Sequence, residues 1–204
     1  IISRDIEFDL FKKAETKLLA AKVAKSFYSS DGFDSRNNAV FSLIQLCSNN
    51  KLYSNFLSAS QSRKSRAGRS FEIHISTLLS AGKIAFDEQV MFGGRRPDFV
   101  VPSLAALRTN RSDPTRGLIL SAKTTTRERW KQISLEDYGC PIFLATLDER
   151  ITTPSLNQMK ALNITVVVSE AMKVSTITHY SHHDAVISFR SFFDDVGVKW
   201  VPAA

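Results

Sequence analysis

The hydrophobic period of this chain changes at Gly82, and that change limits the folds open to it. Before Gly82, apolar residues recur at helical intervals. Ile6, Leu10, Ala14 and Leu18 form a stripe widened by Phe8, Phe11 and Leu19, which predicts a helix up to a break at Ser29-Ser30-Asp31-Gly32. A second helix is expected over Asn37–Leu46. The run Ser58–Gly68 is polar, basic and Ser-rich, and reads as a loop lying on phosphates. A third helix is expected over Ala67–Leu79, with Phe71, Ile75 and Leu78 or Leu79 as its apolar stripe and Gly82 as its stop.

After Gly82 the apolar runs become short. Ile84–Met91 and Asp98–Val101 read as strands separated by Gly93-Gly94, and Gly117–Lys123 is the clearest buried strand. Thr124–Thr126 can cap a helix running to about Asp137. Pro141–Leu147 and Ile164–Val168 read as further strands, with a helix near Ser155–Leu162 between them. Val186–Val196 reads as a terminal helix. Helices first, then strands alternating with helices, predict an α/β fold: a mixed sheet flanked by helices. No internal repeat or Pro/Gly/Ser linker divides the sequence, so residues 1–204 are expected to form a single domain.

Hydrophobic residues make up 43% of the chain, enough to bury a core. No apolar run approaches the ~18 residues a membrane-spanning helix needs. No basic-then-apolar leader is visible, so no membrane or secretory destination is expected. Cys47 and Cys140 make neither a disulfide framework nor a zinc spacing, which favours a reducing, cytoplasmic setting. His182-His183 reads as surface rather than as a metal site. The net charge of +7 favours a polyanionic partner. Its distribution is more informative than its size. Arg63-Lys64-Ser65-Arg66 with Arg69, then Arg95-Arg96, then Arg127, Arg129 and Lys131 form three clusters along the chain.

These clusters flank residues suited to phosphodiester hydrolysis. Asp98 follows Pro97 at the start of one strand, and Lys123 closes the next in Ser121-Ala122-Lys123. Neighbouring antiparallel strands would bring the two side chains to one end. A hard cation such as Mg²⁺ takes carboxylate and water oxygens, lowers the pKa of a bound water and neutralises charge on the phosphate. A lysine can hold the attacking water and stabilise the anionic transition state. The acid usual two positions before such a lysine is absent, because Ser121 stands there. The second carboxylate is then Glu136, on the helix after the lysine strand, or Glu72, beside the apolar stripe of the third helix.

The pattern Pro97-Asp98, Ser121-x-Lys123, Glu136 resembles the PD-(D/E)xK endonucleases with a displaced second acid. It is most similar to the catalytic C-terminal domain of EcoRII-type restriction endonucleases. Three segments carry the resemblance: Ser65 to Glu72, Arg96 to Ser103, and Ala122-Lys123-Thr124-Thr125-Thr126-Arg127-Glu128-Arg129-Trp130-Lys131-Gln132. Weaker similarity continues through Phe143–Leu147 and Val166–Val168.

The resemblance implies a restriction-endonuclease-like fold and a type II enzyme. Such an enzyme cuts double-stranded DNA at a short palindromic site containing CC and GG, of the CCWGG or CCNGG kind. It implies Asp98, Lys123 and Glu136 as catalytic residues, Asp98 and Glu136 as Mg²⁺ ligands, and Glu72 as an accessory acid. It implies Arg127, Glu128 and Arg129 as base readers; arginine can bond guanine O6 and N7 together, and glutamate can accept from cytosine N4. It also implies Arg4 and Phe8 as a pocket for a flipped central base. Arg63, Lys64, Arg66, Arg69 and Lys131 are expected on phosphates. A palindromic target implies a homodimer. The competing expectations are a structure-specific repair or recombination nuclease and a catalytically silent DNA-binding module. The sequence is expected to be either an isolated catalytic domain or a single-domain relative.

Overall fold

The computed structural model describes residues 51–92, 94–109, 116–126 and 139–200, together with Lys13, Thr16, Lys17, Ala20, Ala21, Ala24 and Trp130. The chain divides into two compact units, Ile1–Arg66 and Ala67–Ala204. In the first unit the described residues from Lys13 to Ala24 are helical, as their periodicity predicts. The expected second helix, Asn37–Leu46, lies outside the described residues.

Helix α1 spans Lys51–Ala81. It corrects the expected loop over Ser58–Gly68, all of which is helical. Serine is only mildly unfavourable in a helix, and the run contains no proline and no glycine before Gly68, so nothing in it stops propagation. Arg63, Lys64, Arg66 and Arg69 are exposed on this helix.

In the second unit the described strands form one six-stranded sheet in sequential order. They are β1 (Asp87–Glu88), β2 (Phe99–Val101), β3 (Leu118–Lys123), β4 (Ile142–Thr146), β5 (Ile164–Val168) and β6 (Val186–Ser188). β1–β2 and β2–β3 are antiparallel; β3–β4, β4–β5 and β5–β6 are parallel. The sheet is therefore mixed, as expected. Helices α2 (Leu104–Thr109), α3 (Thr153–Ala161), α4 (Glu170–Val174) and α5 (Phe189–Trp200) complete the described elements.

The parallel strands are buried on both faces, which is why they are continuous apolar runs in the sequence. On one face Phe71, Ile75 and Leu79 of α1 join Phe99, Leu118, Leu120 and Ala122 in a core cluster that includes Phe192 of α5. Side chains alternate along a strand. Ile119, Ser121 and Lys123 therefore project from the opposite face of β3, where Ile119 packs with Val100 and Leu107. At the start of β3, a Cβ on Gly117 would lie 2.6 Å from Leu107 Cδ2 and 2.7 Å from the Val101 carbonyl oxygen, so only glycine fits.

Two more expectations need correction. Of Ile84–Met91 only Asp87 and Glu88 pair as a strand, because Gln89 takes a left-handed backbone (φ 53°) that ends the ladder. The expected helix Val186–Val196 is a strand followed by a helix. Val186 and Ile187 extend the sheet, and Ser188 Oγ then accepts the Ser191 amide at 3.1 Å, the bond of a helix N-cap.

Candidate active site

Antiparallel pairing sets Phe99 against Leu120 and Val101 against Leu118. Continued by one step, this register puts Asp98 opposite Ser121. The consequence is a dense set of bonds on a single oxygen. Asp98 Oδ2 accepts from Ser121 Oγ at 2.9 Å, from the Ala122 amide at 2.8 Å and from Lys123 Nζ at 2.8 Å. The Asp98 residue is only 8% exposed. Such burial is tolerable for a carboxylate because a cation and two further donors face it. Lys123 is the more open partner, with its side chain 32% exposed. Its ammonium thus stands at the solvent side of the pair.

The second Asp98 oxygen is different. Among the described residues Oδ1 receives only the Gln89 carboxamide, at a long 3.4 Å, while the Gln89 amide donates to the Asp98 carbonyl at 3.1 Å. One oxygen is saturated by the protein and the other is nearly open. An ionised carboxylate has lone pairs for about four acceptor bonds, so Oδ1 has the hard-oxygen character a Mg²⁺ ion requires. Among the described residues no group of three or more His, Cys, Asp or Glu side chains converges as a metal site. Glu136, the expected second ligand, lies outside the described residues.

Other expected site residues divide the same way. Arg127, Glu128, Arg129, Lys131, Arg4 and Phe8 all lie outside the described residues. Glu72 sits on α1 and pairs with Arg69 one turn earlier, Oε2 to Nη1 at 3.3 Å. Its neighbour Phe71 packs on the sheet face opposite to the one from which Ser121 and Lys123 project.

Two residues escaped the sequence reading. Ser121 drew notice only as a missing acid, yet its hydroxyl donates to Asp98. Asp148, beyond the end of β4, drew none. Its Oδ2 accepts the Thr126 amide at 2.8 Å and the Thr126 hydroxyl at 3.0 Å. Its Oδ1 accepts the Arg150 amide at 3.0 Å, and its own amide donates to Thr146 Oγ1 at 3.1 Å. The Tyr180 hydroxyl donates to the Asp148 carbonyl and accepts the Ile151 amide at 3.2 Å. Burial pushes the Tyr180 phenol up to about 12, and the nearby carboxylates of Asp148 and Glu149 push the same way against the Ile151 bond. Lys173 holds the Tyr180 carbonyl at 2.8 Å, and burial draws its ammonium below the usual lysine range while Asp184 opposes.

The family described as EcoRII C terminal matches residues 35–193. The chain belongs to the EcoRII C-terminal family. Relatives of this family member include the type II restriction enzyme SsoII of Shigella sonnei. It is 29% identical over 164 residues, which are 73% of this chain and 52% of SsoII. The type II restriction enzyme EcoRII of Escherichia coli is 29% identical over 172 residues, 83% of this chain and 38% of EcoRII. The chain therefore spans about half the length of the first relative and less of the second.

Among solved structures, metal-depleted Ecl18kI in complex with uncleaved DNA superposes with a TM-score of 0.75 at 27% identity, over 97% of this chain and 67% of that one. The PspGI–substrate DNA complex gives a TM-score of 0.65 at 22% identity, over 95% of this chain and 75% of its own, a likeness of fold alone. The EcoRII-type resemblance and the restriction-endonuclease-like α/β fold are both borne out.

Proposed function

We propose that this chain is the catalytic part of a type II restriction endonuclease, hydrolysing phosphodiester bonds of double-stranded DNA. The observation that carries the reading is the Asp98–Lys123 pair, held at 2.8 Å at the end of an antiparallel ladder, with the other carboxylate oxygen met among the described residues only by Gln89 at 3.4 Å. The names of SsoII and EcoRII support it, as does the DNA bound in the Ecl18kI structure.

In this reading Asp98 and Glu136 would hold Mg²⁺. When bound, the ion supplies Lewis acidity and a water of lowered pKa. Lys123 stands beside that position with its ammonium toward solvent, where it orients the water and stabilises charge on the phosphate. Ser121 and the Ala122 amide keep Asp98 fixed while this happens. Glu72 acts as an accessory acid from α1. Arg127, Glu128 and Arg129 read CC and GG in a short palindrome of the CCWGG or CCNGG kind. Arg4 and Phe8 hold a flipped central base. Arg63, Lys64, Arg66, Arg69 and Lys131 contact phosphates, which makes binding steeply salt-dependent. A homodimer matches the two-fold symmetry of the site.

The test is digestion of a plasmid of known sequence with Mg²⁺, followed by sequencing of the fragment ends. Discrete ends at one motif containing CC and GG are expected. Ends scattered over unrelated sequences, or confined to branched or mismatched DNA, would favour a structure-specific nuclease. Binding without any cleavage would favour a silent module.

A further inference from the structure

Asp98 has a register partner on each side, and the two flanking side chains take different oxygens. β1 pairs Asp87 with Val100 and Glu88 with Phe99, so one further step sets Gln89 beside Asp98. The β2–β3 register, extended the same way, sets Ser121 on the other side. Ser121 Oγ donates to Oδ2 at 2.9 Å, and Gln89 Nε2 donates to Oδ1 at 3.4 Å. Gln89 holds the main chain as well, its amide donating to the Asp98 carbonyl at 3.1 Å. We infer that Gln89 is a positioning residue for the nuclease reaction: it grips Asp98 at the backbone and at Oδ1, and so fixes the rotation of the carboxylate. The inference rests on the proposed role of Asp98 and deepens it.

The backbone of Gln89 supports this reading. Its φ of 53° lies in the left-handed region, which glycine enters freely and a glutamine rarely adopts. Glycine would relieve the strain there but would bring no side chain to Asp98. The conformation is held from both directions along the chain. Asp87 Oδ2 accepts the Leu104 amide at 2.7 Å, and buried Phe92 exchanges backbone bonds of 2.8 and 3.0 Å with Arg95. Strained residues fixed by their surroundings in this way cluster at active sites.

The carboxylate needs such a grip because the last torsion of an aspartate is broad and two-fold. Ser121, the Ala122 amide and Lys123 settle Oδ2. Gln89 settles where Oδ1 goes. Its carboxamide must present the NH₂ group, since its own oxygen would set one acceptor against another. One long bond steers Oδ1 and still leaves that oxygen acceptor capacity.

Two variants separate the grip from the fold. Gln89→Gly removes the carboxamide and suits the left-handed backbone. Gln89→Met removes the donor, fills similar space and keeps the strain. Three quantities are read: the single-turnover rate at saturating Mg²⁺ on a duplex that the parent cuts, the affinity for that duplex in chelator, and the thermal midpoint. Both variants are expected to slow cleavage roughly ten- to hundredfold, as loss of a group that orients a site carboxylate does, with DNA affinity close to the parent. The thermal midpoint of Gln89→Gly is expected to stay at the parent's or rise, and that of Gln89→Met to fall below it.

A parental rate for Gln89→Gly overturns the inference. So does a loss of rate that follows a fall in thermal midpoint or in DNA affinity, because Gln89 would then serve the fold or the binding alone. Should Gln89→Met fail to fold, Gln89→Gly decides by itself. Asp98→Ala separates the inference from the reading beneath it. An inactive Asp98→Ala beside a fully active Gln89→Gly rejects the grip and leaves the reading standing. Cleavage by Asp98→Ala at the parental rate rejects the role of Asp98, and the grip with it.

Discussion

Two aspartates grip the end of β3 from opposite sides, and they are built for different work. Asp98 reaches across from the antiparallel neighbour β2 and takes Ser121, Ala122 and Lys123 on one oxygen. Asp148 reaches across from the parallel neighbour β4 and takes Thr126 on one oxygen and Arg150 on the other. Asp98 pairs with a cation and keeps an oxygen nearly open. Asp148 has donors from the chain on both of its oxygens. A carboxylate with a spare oxygen beside an ammonium can take part in chemistry. One with both oxygens engaged by backbone and hydroxyl donors holds the chain around it in place. The contrast teaches that burial and hydrogen bonding alone do not mark a catalytic acid; what matters is which acceptor capacity is left over.

The comparison is broken most directly by asking which aspartate cleavage requires. Asp98→Ala and Lys123→Ala are expected to lower cleavage of every DNA by roughly a thousandfold or more, while binding to the cognate site largely survives. Both rates are read in single-turnover assays at matched Mg²⁺. Persistent cutting by both variants would remove the distinction between the two aspartates. So would equal inactivation by Asp148→Asn.

Tyr180→Phe sharpens the other side. It removes the donor to Asp148 and the acceptor for Ile151, and is expected to cost about 1–3 kcal/mol in urea unfolding. It also changes the pH dependence. The folded phenol titrates near 12, above its ordinary value of 10.0. Its contribution is therefore complete below about pH 10 and is lost as pH rises toward 12, because there the folded state binds more protons than the unfolded. The parent should lose stability more steeply than Tyr180→Phe across that window. Parallel curves would remove Tyr180 as the titrating support.

Ser121→Ala deletes one of the three donors to Asp98 Oδ2. A loss of about 1 kcal/mol is expected, seen as a fall of severalfold in the cleavage rate and not as a change of specificity. A change in specificity would mean that the two sides of β3 are not separate. The smallest effect is expected from Glu72→Gln. Its partner Arg69 is largely exposed, with a side chain 62% accessible, and such pairs contribute about 0.2–1 kcal/mol. A loss of cleavage as large as that of Asp98→Ala would make Glu72 a primary acid and not an accessory one.

Much of this was legible in the sequence, for reasons that differ by element. Leu118–Lys123, Ile142–Thr146 and Ile164–Val168 could be read because doubly buried parallel strands must be apolar throughout. Asp98 and Lys123 could be singled out together because phosphodiester hydrolysis would restrict the residue types, and the structure brings the two side chains within 2.8 Å. Ser58–Gly68 was misread because polar composition describes solvent exposure, and a long helix is exposed too. Val186–Ser188 was misread because a three-residue strand is shorter than the period needed to recognise it. Asp148 had no signal at all. It lies in Leu147-Asp148-Glu149-Arg150, which reads as a solvated turn, and its partner Thr126 is distant in sequence. Only the parallel pairing of β3 with β4 makes them neighbours. Ser121 was read for the acid it replaces, and its hydroxyl acquires a partner only through the register with β2.

That register has a far end as well as a near one. Asp98 meets Ser121 at one end of the β2–β3 ladder, and Gly117 lies against the Val101 carbonyl and Leu107 at the other. The ladder between them is only three residue pairs long. It behaves as a short lever whose fulcrum is a missing methyl group. The tolerance within which a carboxylate and an ammonium face each other is set by a close approach of bare backbone that touches neither of them.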